Sequence, residues 1–538
     1  MQPPPPSGAT APAASDARVK RIAFYSDNGH GLGHITRLMA IARRLAPTTV
    51  PVFLTMSESH DLVRRMGFAV EYMASPRKLG LNRMDWDELF HLRLERFIET
   101  FRPAAIVIDH VNPPKVFDRV AADHPEVALV WSRRGLWSDD RNRRALLLHD
   151  VMDLVIEPMD VASPFDRGDT IQFWDVARVP PITFLDRAEL VDRAAARREL
   201  GLPEHGAAVL LQLSADDPGA LRSIIMQARD LLRAVDPDVA VYAPLHVLHQ
   251  HALEPVDGVR MTPVYPVSRY LAAFDGAMST SGYNSFHELV MAATPTVFVE
   301  RNTNSLDDQG LRAEIAARCG AALHLPTLDG SAASRAAATT LLDPDARERM
   351  RAAAGALYPG NGAGPAADAI ERLTDAHPRT MPAPAPTVGP DPHQHRRKLA
   401  RRRFTSGPLL DEEAREEACR VLVVAYGLDD AGLEELARDL LELQTRRSDV
   451  KPIVLVHAGA TLPLSRDGWQ YETVVTHDRW EALDLECEHA DYLAERLEAS
   501  VRLYDPAVVL TVGPGQPLRA DDLPPPAAAP PRPGDTPG

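Results

Sequence analysis

The sequence predicts an α/β protein made of doubly wound parallel sheets, two full units followed by a shorter third. Three observations predict it. Between residues 19 and 183, short apolar runs alternate with stretches of helical periodicity. The alternation breaks at Val179-Pro180-Pro181 and then restarts. The segment 418–515 repeats the element order of the first unit, including a Pro-Ala entry into its last strand (Pro103-Ala104 and Pro506-Ala507). A length of 538 residues suits three or four domains.

Residues 1–18 are rich in Pro and Ala and read as a disordered tail. In the first unit, 19–183, strands are expected at 21–25, 50–55, 69–73, 104–108, 127–131 and 154–156. The second, 184–375, opens with a helix over 187–200 that stops at Gly201-Leu202-Pro203. Strands at 208–213, 239–242, 276–279 and 296–299 follow, and helices at 334–342, 345–357 and 365–373 close it. A Pro-rich, then basic, linker covers 376–417. The third unit, 418–515, has strands at 420–425 and 452–457, a helix at 431–443 and a last apolar run at 507–511. Its first turn, Tyr426-Gly427-Leu428-Asp429-Asp430, carries no histidine, so no equivalent site is expected there. Residues 516–538 form a second Pro/Ala tail.

A formal charge of −16 argues against electrostatic binding of nucleic acid. No apolar run is long enough for a membrane span, and the N-terminus lacks the basic and apolar regions of a secretion signal. Three scattered cysteines, Cys319, Cys419 and Cys487, form no disulfide or metal pattern and suit a reducing cytoplasm. The basic run 395–403 either contacts anionic lipid, from the cytoplasmic side of a membrane, or nucleic acid, or is a solvated linker.

The chemistry concentrates in Gly29-His30-Gly31-Leu32-Gly33-His34, between the first strand and a helix marked by Ile35, Leu38, Met39 and Ala42. A dinucleotide fingerprint would need glycine where His34 stands, and no Gly-Lys-Ser/Thr follows for a phosphate loop of the Walker type. Gly31 and Gly33 allow close approach of a substrate to backbone, and His34 at the helix mouth suits a general base. A plain cap of the helix is the competing reading. Asp109 closes a strand on the same edge and either orients His34 or caps the next segment. Arg133 and Arg134, also at a strand end, would hold an acidic acceptor or form salt bridges.

In the second unit, Ser281-Gly282-Tyr283-Asn284-Ser285 opens a helix, where backbone N–H groups and the helix dipole can hold a diphosphate. Glu288, about one and a half turns in, can accept two ribose hydroxyls, or reach back as a capping-box partner. Asp308 and Gln309, after a polar loop, suit sugar hydroxyls; Asp307 or Asp308 as a helix N-cap is the alternative.

These stretches resemble the GT-B glycosyltransferases, and most of all family 28, which includes the N-acetylglucosaminyltransferase of peptidoglycan synthesis. The likeness covers about residues 20–375. It implies two Rossmann-like doubly wound domains facing across a cleft, here followed by a truncated Rossmann-like unit. By the same likeness His34 is the catalytic base, Ser281 to Glu288 the nucleotide-sugar signature, Asp308-Gln309 the donor-sugar contact, and the backbone at Val264-Tyr265 the uracil reader. The implied reaction is inverting transfer from a nucleotide diphosphate-sugar, a UDP-sugar by resemblance, to an acceptor hydroxyl that is lipid-linked, polysaccharide or small. No metal and no resident cofactor is implied. A nucleotide-sugar hydrolase or epimerase on the same fold, or a non-catalytic nucleotide-sugar-binding scaffold, are the alternatives. One departure stands out. The first turn of the second unit, from Leu213 and Ser214 to Gly219, carries Asp216 and Asp217 where the family has glycines, which shifts the phosphate load onto 281–285.

Overall fold

The computed structural model describes residues 19–27, 32–138, 142–215, 217–245, 253–300, 306–376, 404–410, 417–457, 459, 461–519 and 522–523. Within these, the chain forms three parallel sheets. The first has the order β3-β2-β1-β4-β5-β6-β7. Its strands are β1 (Lys20–Ser26), β2 (Thr49–Thr55), β3 (Ala69–Tyr72), β4 (Ala105–Asp109), β5 (Ala128–Ser132), β6 (Leu154–Pro158) and β7 (Ala177–Val179). The second has the order β10-β9-β8-β11-β12-β13. It comprises β8 (Ala208–Gln212), β9 (Ala240–Leu245), β10 (Arg260–Pro263), β11 (Gly276–Thr280), β12 (Thr296–Val299) and β13 (Ala322–Leu325). In both, the order reverses beside the first strand, the switch point at which such sheets bind ligands beyond their carboxyl ends.

Strand alternation sorts the first sheet's side chains between two cores. Ala23, Tyr25, Ile106 and Ile108 pack with Trp86, Phe90 and Phe97 of the helix Arg83–Phe101. Ile22, Phe24, Ala105 and Val107 pack with Leu38, Met39 and Ile41 of the helix Gly33–Ala42. Residues near the carboxyl ends of the first two sheets meet at one seam. There Asn284 Nδ2 donates to Gly33 O (3.1 Å), Thr36 and Tyr265 share a hydroxyl hydrogen bond (2.9 Å), and Ser138 N–H donates to Leu306 O (2.8 Å).

Two sequence expectations change. The stretch 187–200 is a short 3-10 turn, Arg187–Glu189, and a separate helix, Arg193–Leu200; the Asp192 carboxylate accepts from Ala194 and Ala195 N–H and starts the helix there. The helix Ala363–Ala376, expected to close the second unit, packs on the first sheet instead. Its Ala366, Ala367 and Ile370 lie in the core of the Gly33 helix.

The third sheet, ordered β16-β15-β14-β17, contains β14 (Cys419–Ala425), β15 (Val450–His457), β16 (Gln470–Val474) and β17 (Val508–Thr511). Its register repeats that of β3-β2-β1-β4. Arg21 pairs Val50 as Arg420 pairs Lys451, Ile22 pairs Ala105 as Val421 pairs Val508, and Leu54 pairs Glu71 as Leu455 pairs Glu472. Side-chain details repeat too: Arg21 Nε donates to Phe101 O and Arg420 Nε to Tyr504 O, each at the end of a helix closed by a left-handed residue, Arg102 or Asp505.

The copy packs against the original about a pseudo-twofold axis, because equivalent residues touch each other. Tyr72 N–H donates to Thr473 Oγ1 (2.9 Å), and Thr461 bonds His60 (2.9 Å), each partner lying 401 residues from its match. Tyr72 and Tyr471 stack at 4.9 Å. Glu71 and Glu472 are buried beneath Arg93, Arg496, Tyr492 and Tyr504: Arg93 and Tyr492 engage Glu71, while Arg496 (2.8 Å) and Tyr504 (2.7 Å) engage Glu472.

Candidate active site

β1 and β4 are neighbours, so the helix after β1 starts beside the end of β4. His34 and Arg37, one turn apart on that helix, both meet Asp109. His34 Nδ1 lies 2.5 Å from Asp109 Oδ1; Arg37 donates from Nε (2.9 Å) and Nη2 (2.6 Å), and Ser132 Oγ donates at 3.0 Å. Burial would raise the Asp109 pKa, but Arg37 and His34 hold the carboxyl far below the usual carboxylate range. An ionised Asp109 can only accept, so Nδ1 carries the imidazole proton and Nε2 the lone pair. Burial pushes the His34 pKa below the ordinary histidine value, with Asp109 opposing and Arg37 and Arg134 assisting. A neutral, oriented histidine is what a general base requires.

Across the seam, the helix Tyr283–Met291 starts at Gly282, where an added Cβ would meet nothing within 4 Å. No side chain caps this start, so its first N–H groups are not covered by a capping oxygen. Asn284 ties it to the histidine turn by donating to Gly33 O and accepting from Arg37 Nη1 (3.2 Å). Ser281 Oγ donates to Gln309 O (3.0 Å). Ser285 lies half-buried on the first helical turn. Glu288 is buried, and that burial pushes its carboxyl up to about 7. Burial, and beyond it the Glu288 charge, push the Tyr265 phenol up. Ser214, at the end of β8, shares a hydrogen bond with Thr280 (3.1 Å).

The Tyr283 ring is the hub of the seam. The guanidinium carbons of Arg37, Arg134 and Arg312 lie 5.5, 5.4 and 5.5 Å from its centroid, and its hydroxyl donates to Met159 O (3.0 Å). Arg134 Nη1 donates to Asp307 Oδ2 (2.8 Å), and Arg312 donates to Asp307 (2.8 Å), Asp160 (2.6 Å) and Ser281 O (2.6 Å).

Several expected site residues are placed differently. Arg133 does not join the seam: it is buried over Phe173 with its Nη2 donating to Glu157 (2.8 Å). Neighbouring residues leaving a strand point to opposite sides, so only Arg134 reaches across. Asp308 serves as the N-cap of the helix Gln309–Arg318, accepting from Leu311 N–H (2.9 Å), while the buried Asp307 takes Arg134 from across the seam and Arg312 from the helix that follows. Asp217 caps the helix Pro218–Val235 by accepting from Ala220 N–H (2.9 Å). That carboxylate fills this helix mouth, whereas no side chain among the described residues caps the one at Gly282. Gly31 and the basic run 395–403 lie outside the described residues.

Sequence reasoning missed Arg37, although an arginine three residues after His34 on a helix shares its face. It also missed His110, whose Nε2 meets the Asp27 carboxylate and whose ring lies 6.4 Å from that of His34. A histidine directly after Asp109 was the available signal.

Fold and site together define an α/β protein of three parallel sheets with an aspartate-oriented histidine where the first two meet. No family model matches the sequence, and no curated protein matches it. Among solved structures, the chain is similar to the glycotransferase of kitacinnamycin (18% identity, TM-score 0.48, covering 66% of this chain and 100% of that one). It is similar to MurG of Acinetobacter baumannii (14%, TM-score 0.43, 66% and 99%). It is also similar to the UDP-GlcNAc 2-epimerase of Neisseria meningitidis bound to UDP-GlcNAc (13%, TM-score 0.49, 66% and 100%). Among the described residues, no helix is long and apolar enough to cross a membrane.

Proposed function

We propose that the chain is a glycosyltransferase that moves a sugar from a nucleotide diphosphate-sugar, tested first with UDP-sugars, to an acceptor hydroxyl. The observation that carries the reading is the juxtaposition of the His34–Asp109 pair with the open start of the Tyr283 helix, joined through Asn284. The diphosphate binds at Gly282 to Ser285, where backbone N–H groups and the helix dipole stabilise negative charge. Glu288 and Tyr265 take the nucleoside side, and Gln309 the sugar. His34 Nε2 accepts the acceptor's hydroxyl proton as that oxygen bonds to the anomeric carbon. The bond from that carbon to the diphosphate oxygen breaks, and the nucleoside diphosphate leaves carrying the electron pair. Asp109 stabilises the imidazolium that forms, and Arg37 keeps Asp109 ionised. Direct displacement inverts the anomeric carbon.

The test is a thermal-shift screen of the full chain against UDP-, dTDP- and GDP-sugars, followed by turnover with the stabilising donor and a panel of acceptors. A His34→Ala variant is expected to keep the donor-induced shift and to lose about 10²- to 10⁴-fold in turnover. Full turnover in that variant refutes the role of His34. Sugar released without acceptor as fast as with it would instead assign hydrolysis.

A further inference from the structure

The Arg83–Phe101 helix lies on the face of the first sheet opposite the Gly33 helix, and it carries a second group of ligating side chains. His91 and Glu95 stand one turn apart on it. Asp123 ends the neighbouring helix, Val116–Asp123. One ligand atom from each of the three lies within 4.8 Å of the other two.

Two atoms of this group are left without hydrogen bonds. The His91 side chain is only 9% exposed, and its buried Nδ1 has no hydrogen-bond partner among the described residues. The nearest carboxylate atom is Glu95 Oε1 at 3.7 Å, beyond hydrogen-bond reach, and it too is buried without a partner. Leaving a buried polar atom unpaired is costly, so two side by side point to something between them. The other Glu95 oxygen is already held: His124 Nε2 donates to Oε2 at 2.8 Å, and His124 Nδ1 is itself bonded to Glu126 at 3.0 Å. The arrangement leaves Oε1 on the side of His91, as an outer hydrogen bond orients a carboxylate ligand in a metal site. Arg119, the nearby cation, is engaged by Glu88 at 3.2 Å.

We propose that His91 Nδ1, one Glu95 oxygen and one Asp123 oxygen bind a single divalent transition-metal ion of the zinc class, with solvent completing the coordination. The donor set decides the class. Calcium and magnesium take oxygen ligands, whereas an imidazole with two carboxylates suits zinc and its neighbours. The ion pins two helices of the first unit together and lies apart from His34, so it is structural for that unit and no participant in the transfer reaction.

The experiment uses the full chain, stripped with chelator and titrated with zinc chloride by calorimetry, with bound metal counted after dialysis. One equivalent is expected, together with a raised melting temperature. Asp123→Asn, an exposed and nearly isosteric change, should weaken zinc binding at least ~10-fold and His91→Ala about 100-fold, with turnover at saturating donor unchanged in Asp123→Asn. Should His91→Ala fail to fold, Asp123→Asn decides alone. No saturable binding up to roughly 1 mM zinc overturns the proposal, as does wild-type affinity in the variants.

Discussion

Replacing Asp109 by asparagine tests stability and chemistry at once. The carboxylate is 1% exposed and takes two hydrogen bonds from Arg37, one from Ser132 and one from His34. An asparagine has one accepting oxygen, and because Arg37 bonds both carboxylate oxygens, the amide faces Arg37, donor against donor, in either orientation. Arg37 then loses its bidentate partner while buried, and breaking a buried pair in this way costs about 3–5 kcal/mol. At roughly 2–4 °C per kcal/mol for a unit of this size, the melting temperature should fall by about 6–20 °C at pH 7. Because the folded-state pKa of Asp109 is depressed, its contribution is complete above the unfolded value of about 3.9 and fades as pH falls below it. The gap between wild type and variant should therefore be constant from pH 5 to 8 and narrow below about pH 4. In turnover, the imidazole loses the group that fixes its tautomer, and a fall of roughly 10⁴-fold is expected. Differential scanning calorimetry across pH and a donor-release assay below the variant's melting point supply both readings. An unchanged melting temperature at pH 7, or turnover within about threefold of wild type, would refute the reasoning.

Burial lowers the His34 pKa, so the acid limb of kcat/KM should have its midpoint below about 6.5; a midpoint above that value would assign the limb to another group. Gly282→Asp should leave stability within a few tenths of a kcal/mol, because aspartate is a good N-cap and the site has room. The same variant should lose thermal protection by nucleotide sugars, since a fixed carboxylate then holds the N–H groups proposed for the diphosphate; retained protection would move the diphosphate elsewhere. Thr473→Val strands the buried Tyr72 N–H and should cost about 1–3 kcal/mol in chemical denaturation, with turnover at 25 °C intact.

The strands that carry the site were legible because each is a buried apolar run, whereas the sequence left Asp109 open between orienting His34 and capping the next segment, since the placement of β4 beside β1 is visible only in the fold. Among the edge strands, β3 and β17 were legible and others were not. β7, β10 and β13 are three or four residues long, and Arg178, Thr262, Pro263 and His324 interrupt their apolar pattern, because an edge strand has less to bury. The fate of the Ala363–Ala376 helix was hidden for a different reason: its alanine-rich face fits either sheet, and only tertiary packing selects one. Arg133 and Arg134, like Asp307 and Asp308, are adjacent pairs of one chemistry whose members differ only in direction, which composition and spacing do not encode.

The pseudo-twofold contact between the first and third sheets has a thermodynamic consequence. A self-complementary pair on separate chains separates on dilution, whereas two halves on one chain meet at an effective concentration in the millimolar range. An interface too weak to hold two molecules together at micromolar levels is then saturated within one. The tethered half is also released from the coupling that makes every substitution in a homodimer appear twice. Tyr492, which has a leucine, Leu89, as its counterpart on the other side, could therefore be recruited to Glu71 without a matching change, and the first turn of the copy, Tyr426 to Asp430, could dispense with a histidine while the contact surface stayed in use.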